Sequence, residues 1–479
     1  MKKRENLTML TDFYELTMAN GYFESGVIED IGYFDMFFRK VPDGGGYAIM
    51  AGVEQVVDYL DNLEFTEEDI EYLREKGMFC EEFLDYLRNF KFQCDVWAVP
   101  EGTPIFPHEP ILTVRGPVIQ AQFVETMILL FINHQSLIAT KASRIVRAAQ
   151  GRAIMEFGTR RAHGTASAVY GARASYIAGC VGTACTIADR DHKIPALGTM
   201  AHSWVQMFPD EYTAFKKYAE IYPENCVLLV DTYNVLKSGV PAAIRVFNEV
   251  KPKKMGIRID SGDITYLTKK ARKMLDDAGL QECKISISNS LDEYIIRDVL
   301  LEGAQIDAFG VGERMITAKS EPVFGGVYKL SALEVDGEII PKIKISENVE
   351  KITNPGFKTL YRLYDKDNHK ALADVMTLDG EVIPEDDGYE IFDPNAVWKR
   401  KTLNNFYAKN IRVPLFEKGR KVYDCPSIEE IRDYCAAQIE TLWDETLRFE
   451  NPQTYYVDLS QKLWDVKDQL LKDRNGENA

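Results

Sequence analysis

Paired cysteines are missing from this chain. Its eight cysteines, Cys80, Cys94, Cys180, Cys185, Cys226, Cys283, Cys425 and Cys435, include no Cys-x-x-Cys spacing and have no histidine at ligand distance. That excludes a cysteine-built zinc site and, with no secretory signal, a disulfide framework. The expected state is reduced, mostly buried thiols. Histidine is scarce too, at six residues, and neither a His-Glu-x-x-His helix nor a Gly-x-Ser-x-Gly elbow occurs, which removes zinc proteases and serine hydrolases. Positive charge is in deficit. Lys plus Arg number 57 against 74 Asp plus Glu, a formal charge of -17, so neither a nucleic-acid footprint nor adhesion to an anionic membrane is expected. Any anionic ligand must be held by local cations. Long apolar runs are absent: Thr126 to Ile132 lies between Glu125 and His134, far below the ~20 residues of a membrane span, and reads as a buried helix. Met1 to Leu10 has no apolar core, so no signal peptide is read there and a cytoplasmic location is expected.

What is present is an ordinary globular composition, 46% hydrophobic and 27% charged over 479 residues, long enough for about three domain-sized units, fewer if one is a barrel. Val53 to Phe90 is helical in pattern with a break at Gly77, and Gln93 to Val99 and Ile111 to Val114 read as strands separated by proline-rich turns. A long helical segment, Ile119 to Gln150, follows. Short apolar strands then alternate with amphipathic helices. The strands are Ala153 to Phe157, Val227 to Val230, Lys254 to Ile259, Lys284 to Ser288 and Ile306 to Phe309; the helices include Ala242 to Val250, Ile264 to Ala278 and Leu291 to Leu301. This alternation implies parallel strands with crossover helices, in a closed barrel or an open doubly wound sheet. Beyond Gly325 short β-like runs return, followed by a helical segment from Ser427 to Phe449. The expected division is an N-terminal α/β domain over 1–140, an α/β barrel carrying the site over 141–330, and a C-terminal region over 331–479 that packs back on the first.

The central strands end in polar residues: Gly158-Thr159-Arg160-Arg161, Asp231-Thr232, Asp260-Ser261-Gly262-Asp263 and Asn289-Ser290. In a parallel α/β fold, ligands sit at those carboxyl ends. Period-two alternation in Met255 to Asp260 puts Arg258 and Asp260 on one face and Ile257 and Ile259 on the other. The pair either closes the barrel internally or points into a site. Phe309-Gly310-Val311-Gly312-Glu313 follows the last strand and reads equally as a tight turn or a phosphate cradle. It is no dinucleotide fingerprint, because Met315 stands where the third glycine would be. His202 lies where a loop enters a helical pattern running from Val205 through Tyr222. The positive end of a helix there favours a neutral imidazole and would stabilise a phosphoryl group on it, while the plainer reading is a histidine bonded to backbone.

Together these motifs resemble the nicotinate phosphoribosyltransferases of the type II phosphoribosyltransferase group, over nearly the whole chain. The residues that carry the resemblance are Thr11-Asp12-Phe13-Tyr14, Glu156-Phe157-Gly158-Thr159-Arg160-Arg161, the segment Leu197 to Trp204 around His202, Arg258-Ile259-Asp260-Ser261-Gly262-Asp263, Phe309-Gly310-Val311-Gly312 and Gly325-Gly326-Val327-Tyr328-Lys329-Leu330. The resemblance implies an irregular α/β (TIM-like) barrel of seven or eight strands, with a second α/β domain formed from both ends of the chain. It implies ATP-coupled synthesis of nicotinate mononucleotide and pyrophosphate from nicotinate and phosphoribosyl pyrophosphate, with Mg²⁺ and a phosphohistidine at His202. It also implies that Phe157 stacks on the pyridine ring, that Arg160 and Arg258 hold substrate anions, and that Thr199 lines the nicotinate site. Asp231 and Asp260 would face ribose hydroxyls or Mg²⁺. Ser288, Asn289, Gly310, Gly312 and Thr317 fall at the 5-phosphate site, and Tyr14 reaches the partner's site in a homodimer.

The chemistry is coherent. Departure of pyrophosphate leaves positive charge developing at the ribose C1, so carboxylates near the sugar and Mg²⁺ on the leaving group stabilise opposite ends of one transition state. Phosphorylation of His202 beside the pyrophosphate site would link ATP hydrolysis to a conformational change. Ala184 follows Gly182-Thr183 where nicotinamide-using relatives carry an Asp, and this removes a like charge facing a nicotinate anion. Many nicotinate enzymes have Ser-Asn there, whereas this chain has Ala184-Cys185. The alternatives are a nicotinamide-specific relative and a non-catalytic barrel that binds nicotinate or a nucleotide.

Overall fold

In the computed structural model, which describes residues 6–394 and 396–475, the chain forms two compact units, Met1–Ser136 with Val323–Ala479 and Leu137–Pro322. The outer ends of the expected first and last domains, 1–5 and 476–479, lie outside the described residues, as does the start of the segment read for a signal peptide. The unit boundaries fall at 136/137 and 322/323, where the sequence placed them at 140/141 and 330/331. Gly326–Val335 accounts for much of the difference. It pairs antiparallel with Ile31–Phe38 and so belongs to the first unit.

The first unit, drawn from both ends of the chain, holds a seven-stranded antiparallel sheet in the order Glu338–Pro341, Gly326–Val335, Ile31–Phe38, Leu112–Pro117, Asp95–Ala98, Val413–Glu417, Arg420–Lys421. Ile31–Phe38 is buried along nearly its whole length, as suits a run of Tyr, Phe and Met in an interior strand covered on both faces. A second sheet runs Phe406–Asn410, Lys358–Asp365, Ala371–Leu378, Val457–Leu459 around a core that includes Leu363, Val375, Ile391 and Phe406. The region read as helical from Val53 forms three helices, Val53–Asp61, Glu67–Glu75 and Glu81–Arg88. The expected helix from Ile119 is two, Val118–Phe123 and Glu125–Ala148. Val118–Ala148 has the length and apolarity of a membrane span, yet 67% of its most apolar window is buried inside the protein.

The second unit is built on six parallel strands: β1 (Ala153–Glu156), β2 (Gly182–Thr183), β3 (Cys226–Leu229), β4 (Met255–Ile259), β5 (Lys284–Ser288) and β6 (Ala308–Val311). Their order is β2-β1-β6-β5-β4-β3. Helices Thr165–Ile177, Val240–Val250, Ile264–Asp277 and Glu293–Leu301 supply crossovers, and the last two start on a side-chain cap. Asp263 accepts from the Tyr266 N–H at 2.7 Å and Asp292 from the Ile295 N–H at 2.9 Å, satisfying donors that a helix start leaves open. The strands carry buried aliphatic residues, Ile257, Ile259, Ile285 and Ile287 among them.

Two expectations are corrected here. The irregular α/β barrel takes the form of a curled parallel half-barrel, with six strands among the described residues where seven or eight were expected and no ladder joining β2 to β3. Beyond β2 only Thr183 pairs onward, in a single bridge to Ala196, because Pro195 and the glycine at 198 interrupt any strand there. The helical run from Val205 through Tyr222 is two helices, His202–Gln206 and Glu211–Ile221. Pro209 divides them, and Asp210 caps the second by accepting from the Thr213 N–H at 2.7 Å.

Candidate active site

The carboxyl ends of β1, β3, β4, β5 and β6 carry the polar residues singled out above, and most of them meet. Parallel register sets Ser286 beside Arg258 and Ser288 beside Gly310. Arg258, on the face opposite its isoleucine neighbours, is the hub. Its Nε donates to Ser288 Oγ at 2.7 Å, one terminal nitrogen to Thr199 Oγ1 at 3.2 Å, and the other to Asp260 Oδ1 at 2.9 Å. Ser288 also donates to Asp260 Oδ1 in a short contact. Burial opposes the charge on Asp260, but the hydrogen bonds from Ser288 and Arg258 outweigh it and hold the carboxyl below the usual carboxylate range. The two charged groups point together, as alternation required.

His202 opens its helix with the ring on this cluster. Nδ1 lies 3.2 Å from Thr232 Oγ1, and Nε2 is 4.0 Å from Asp260 Oδ2. The Thr232 hydroxyl can donate or accept, so it engages one ring nitrogen while the other faces Asp260. The side chain is 40% exposed. The helix behind it has only five residues, so the macrodipole invoked for His202 is short, and the local partners Thr232 and Asp260 do more of the positioning.

Asp231 braces the loop after β4. Its Oδ2 accepts from the Asp260 N–H at 3.0 Å and from Ser261 Oγ at 2.6 Å, while Oδ1 is buried with no hydrogen-bond partner among the described residues. An unpaired buried acceptor is costly and suits a ligand donor or a cation. The donor set fits magnesium in a limited way. No group of three or more His, Cys, Asp or Glu occurs among the described residues, so Asp231 and Asp260 would provide one or two carboxylates and substrate oxygens the remainder, the usual arrangement for Mg²⁺ with phosphates.

Phe157 and the glycines form the other wall. The Arg258 guanidinium carbon is 5.6 Å from the Phe157 ring centroid, within cation–π range. A Cβ at Gly310 would lie 2.5 Å from the Phe157 ring, so this glycine makes room for the ring. Arg160, in the short turn Thr159–Arg161, is exposed and makes no ion pair among the described residues. It remains free to meet an anion. Asn289 is exposed beside Ser288, and Gly312 precedes the four-residue helix Glu313–Ile316. Thr317 turns its hydroxyl back to the Glu313 carbonyl at 2.8 Å. Tyr14 is placed in the first unit, on helix Phe13–Glu24, 44% exposed, its phenol pKa raised by burial and by Glu125, Glu15 and Asp12.

Three contributors were quoted within motifs but given no role: Thr232 on His202, Ser261 on Asp231, and Glu156, whose carboxylate is fully buried beside Phe157. Their signal was position, since each adjoins a named site residue at a strand end.

A parallel α/β sheet whose carboxyl edge gathers guanidinium, carboxylate, hydroxyl and imidazole groups has the layout of an α/β-barrel enzyme that handles anions. Comparison with known proteins narrows this class. Family models for the N-terminal domain, the family body and the C-terminal domain of nicotinate phosphoribosyltransferase match residues 9–133, 152–376 and 357–467. The chain is 43% identical to nicotinate phosphoribosyltransferase of Bacillus subtilis, covering 98% of this chain and 96% of that protein. It is 29% identical to the human nicotinate phosphoribosyltransferase over 95% of each. The crystal structure of human nicotinic acid phosphoribosyltransferase superposes with a TM-score of 0.84 at 27% identity, covering 97% of this chain and all of that one. The chain belongs to the nicotinate phosphoribosyltransferase family.

Proposed function

We propose that the chain transfers a phosphoribosyl group from phosphoribosyl pyrophosphate to nicotinate, forming nicotinate mononucleotide and pyrophosphate in NAD synthesis, with ATP hydrolysis coupled through phosphorylated His202. The observation that carries this reading is the linked set Arg258, Asp260, Ser288 and Thr199 with His202 at one strand edge. Phe157 stacks on the pyridine ring, and Arg160 meets its carboxylate. Asp231 and Asp260 face the ribose, where carboxylates stabilise positive charge developing at C1. Ser288, Asn289, Gly310, Gly312 and Thr317 receive the 5-phosphate.

Mg²⁺, when bound, neutralises charge on the departing pyrophosphate; the unpaired Asp231 Oδ1 supports a role for that carboxylate in holding it. Ala184, an exposed methyl at the end of β2, supports nicotinate over nicotinamide, because it sets no carboxylate against an acidic base. The enzyme acts in the cytoplasm as a homodimer in which Tyr14 completes the partner's site.

The test is direct. Purified protein given nicotinate, phosphoribosyl pyrophosphate, ATP and Mg²⁺ is expected to release pyrophosphate and nicotinate mononucleotide, and labelled ATP to leave an acid-labile, base-stable phosphoryl group on the protein. Turnover of nicotinamide at an equal or greater kcat/KM would overturn the base assignment. Absence of the phosphoprotein would overturn the role of His202.

A further inference from the structure

Glu156 is the last residue of β1 and stands in register with Thr183 of β2. Its side chain is fully buried, and no cation pairs with it among the described residues. One carboxyl oxygen accepts from the Gly158 N–H in a short contact, and the other lies 2.5 Å from Thr183 Oγ1. Thr183 Oγ1 in turn accepts from the Cys185 N–H at 2.9 Å. The main chain repeats the link, for the Ala184 N–H donates to the Glu156 carbonyl at 2.8 Å. Thr183 also donates its N–H to Pro195 at 3.0 Å and accepts from Leu197 at 2.8 Å, at the base of the segment that leads to Thr199 and His202. A single carboxyl group therefore ties the turn that presents Phe157 to Thr183, whose main chain in turn holds the 195–197 segment. Gly158 is shaped to it: a Cβ there would lie 2.8 Å from a Glu156 carboxyl oxygen and 2.6 Å from Ile316.

We infer that Glu156, acting through Thr183, is a positioning residue for the pyridine base. It clips the Phe157 turn to the 183–185 loop and so sets the width of the slot that receives the ring. It does not touch substrate. The inference rests on the reading that the base stacks on Phe157. The hydrogen-bond pattern defines which replacements keep the clip. Gln at 156 can accept from Gly158 and donate to Thr183, whose oxygen has lone pairs for both that donor and the Cys185 N–H. Ala at 156 leaves Gly158 and Thr183 without their partner, and Val at 183 leaves a buried carboxyl oxygen and the Cys185 N–H unpaired.

The experiment compares the full-length wild type with Glu156→Ala, Glu156→Gln, Thr183→Val, Thr183→Ser and the double variant Glu156→Ala/Thr183→Val. Steady-state kinetics are measured with each substrate varied, alongside nicotinate binding by calorimetry. Glu156→Ala and Thr183→Val are expected to raise KM and Kd for nicotinate about tenfold, the scale of one lost buried contact, with KM for phosphoribosyl pyrophosphate within about twofold. Glu156→Gln and Thr183→Ser should recover most of the loss. The double variant should be no worse than the poorer single, since both changes open the same clip.

Unchanged nicotinate affinity in folded Thr183→Val, together with unchanged affinity in Glu156→Ala if it folds, would overturn the inference. Equal losses for both substrates, or additive losses in the double variant, would do the same. Calorimetry separates this from the proposed reaction. A wild type that binds nicotinate but does not transfer to it removes the reaction while the variants still decide the clip. A wild type that binds no nicotinate removes both.

Discussion

Gly310 and Phe157 share one volume: a Cβ at 310 would stand 2.5 Å from one ring atom of Phe157, 2.7 Å from another, and 3.3 Å from the Ser288 Cβ. The constraint is space, since the Gly310 backbone lies outside the left-handed region. Gly310→Ala is therefore expected to push the Phe157 ring out of place. Overpacking of this kind costs about 1–3 kcal/mol, and in this slot it should appear as a KM for nicotinate raised about tenfold or more. Steady-state kinetics with a melting curve would check this; an unchanged KM would show that the ring does not shape the base site.

Replacing Arg258 tests the hub. Arg258→Ala removes the donors that hold Ser288, Thr199 and Asp260, and kcat/KM is expected to fall by about 100-fold or more, the scale seen when a preorganised donor is lost. Arg258→Lys should recover little, because an ammonium cannot reproduce the planar fork. Full activity in the lysine variant would mean that charge alone suffices.

His202 makes a separable prediction. With the His202 ring facing Asp260 and partly exposed, His202→Ala should abolish ATP hydrolysis and the phosphoprotein while slow phosphoribosyl transfer persists. Substrate-dependent ATP hydrolysis by the variant, followed by phosphate release, would assign the phosphoryl acceptor elsewhere.

Glu15 sets a pH dependence in stability. Burial pushes its carboxyl up to about 7, against hydrogen bonds from Thr11 and Thr126 that pull it down. Because the folded state holds this proton more tightly than the unfolded chain, its contribution is complete below about pH 4.5 and is lost as pH rises through about 7, on the order of 3 kcal/mol. Glu15→Gln should flatten that window. Denaturant unfolding from pH 5 to 8 measures it, and parallel curves for the two proteins would refute the shift.

The strand-and-helix alternation of the second unit was legible because period two and period 3.6 differ sharply in runs such as Lys284 to Ser288 and Ile264 to Ala278. The Arg258–Asp260 pairing followed from the same alternation. Strand β2 was not legible, since Gly182-Thr183 has no apolar pattern and exists through its pairing with Met155 and Glu156. The break at Pro209 was legible in principle but was overridden by apolar spacing on both sides. The origin of the Gly310 requirement was hidden as well. Sequence left a tight turn and a phosphate cradle both open at Gly310, and neither anticipated the Phe157 ring packed against it, a contact between residues 153 positions apart in the chain. Thr232 and Glu156 stood inside quoted motifs yet received no role, because spacing does not reveal which side chain supports another.

Arg258 is satisfied by its neighbours, with Ser288, Thr199 and Asp260 occupying the donors that an anion would otherwise engage. An anion that captures one of those donors releases a hydroxyl or carboxyl oxygen at the same rim, and that group is then available to the anion or to the sugar behind it. An anion at that rim would thus exchange internal partners for external ones, so the guanidinium is never left bare.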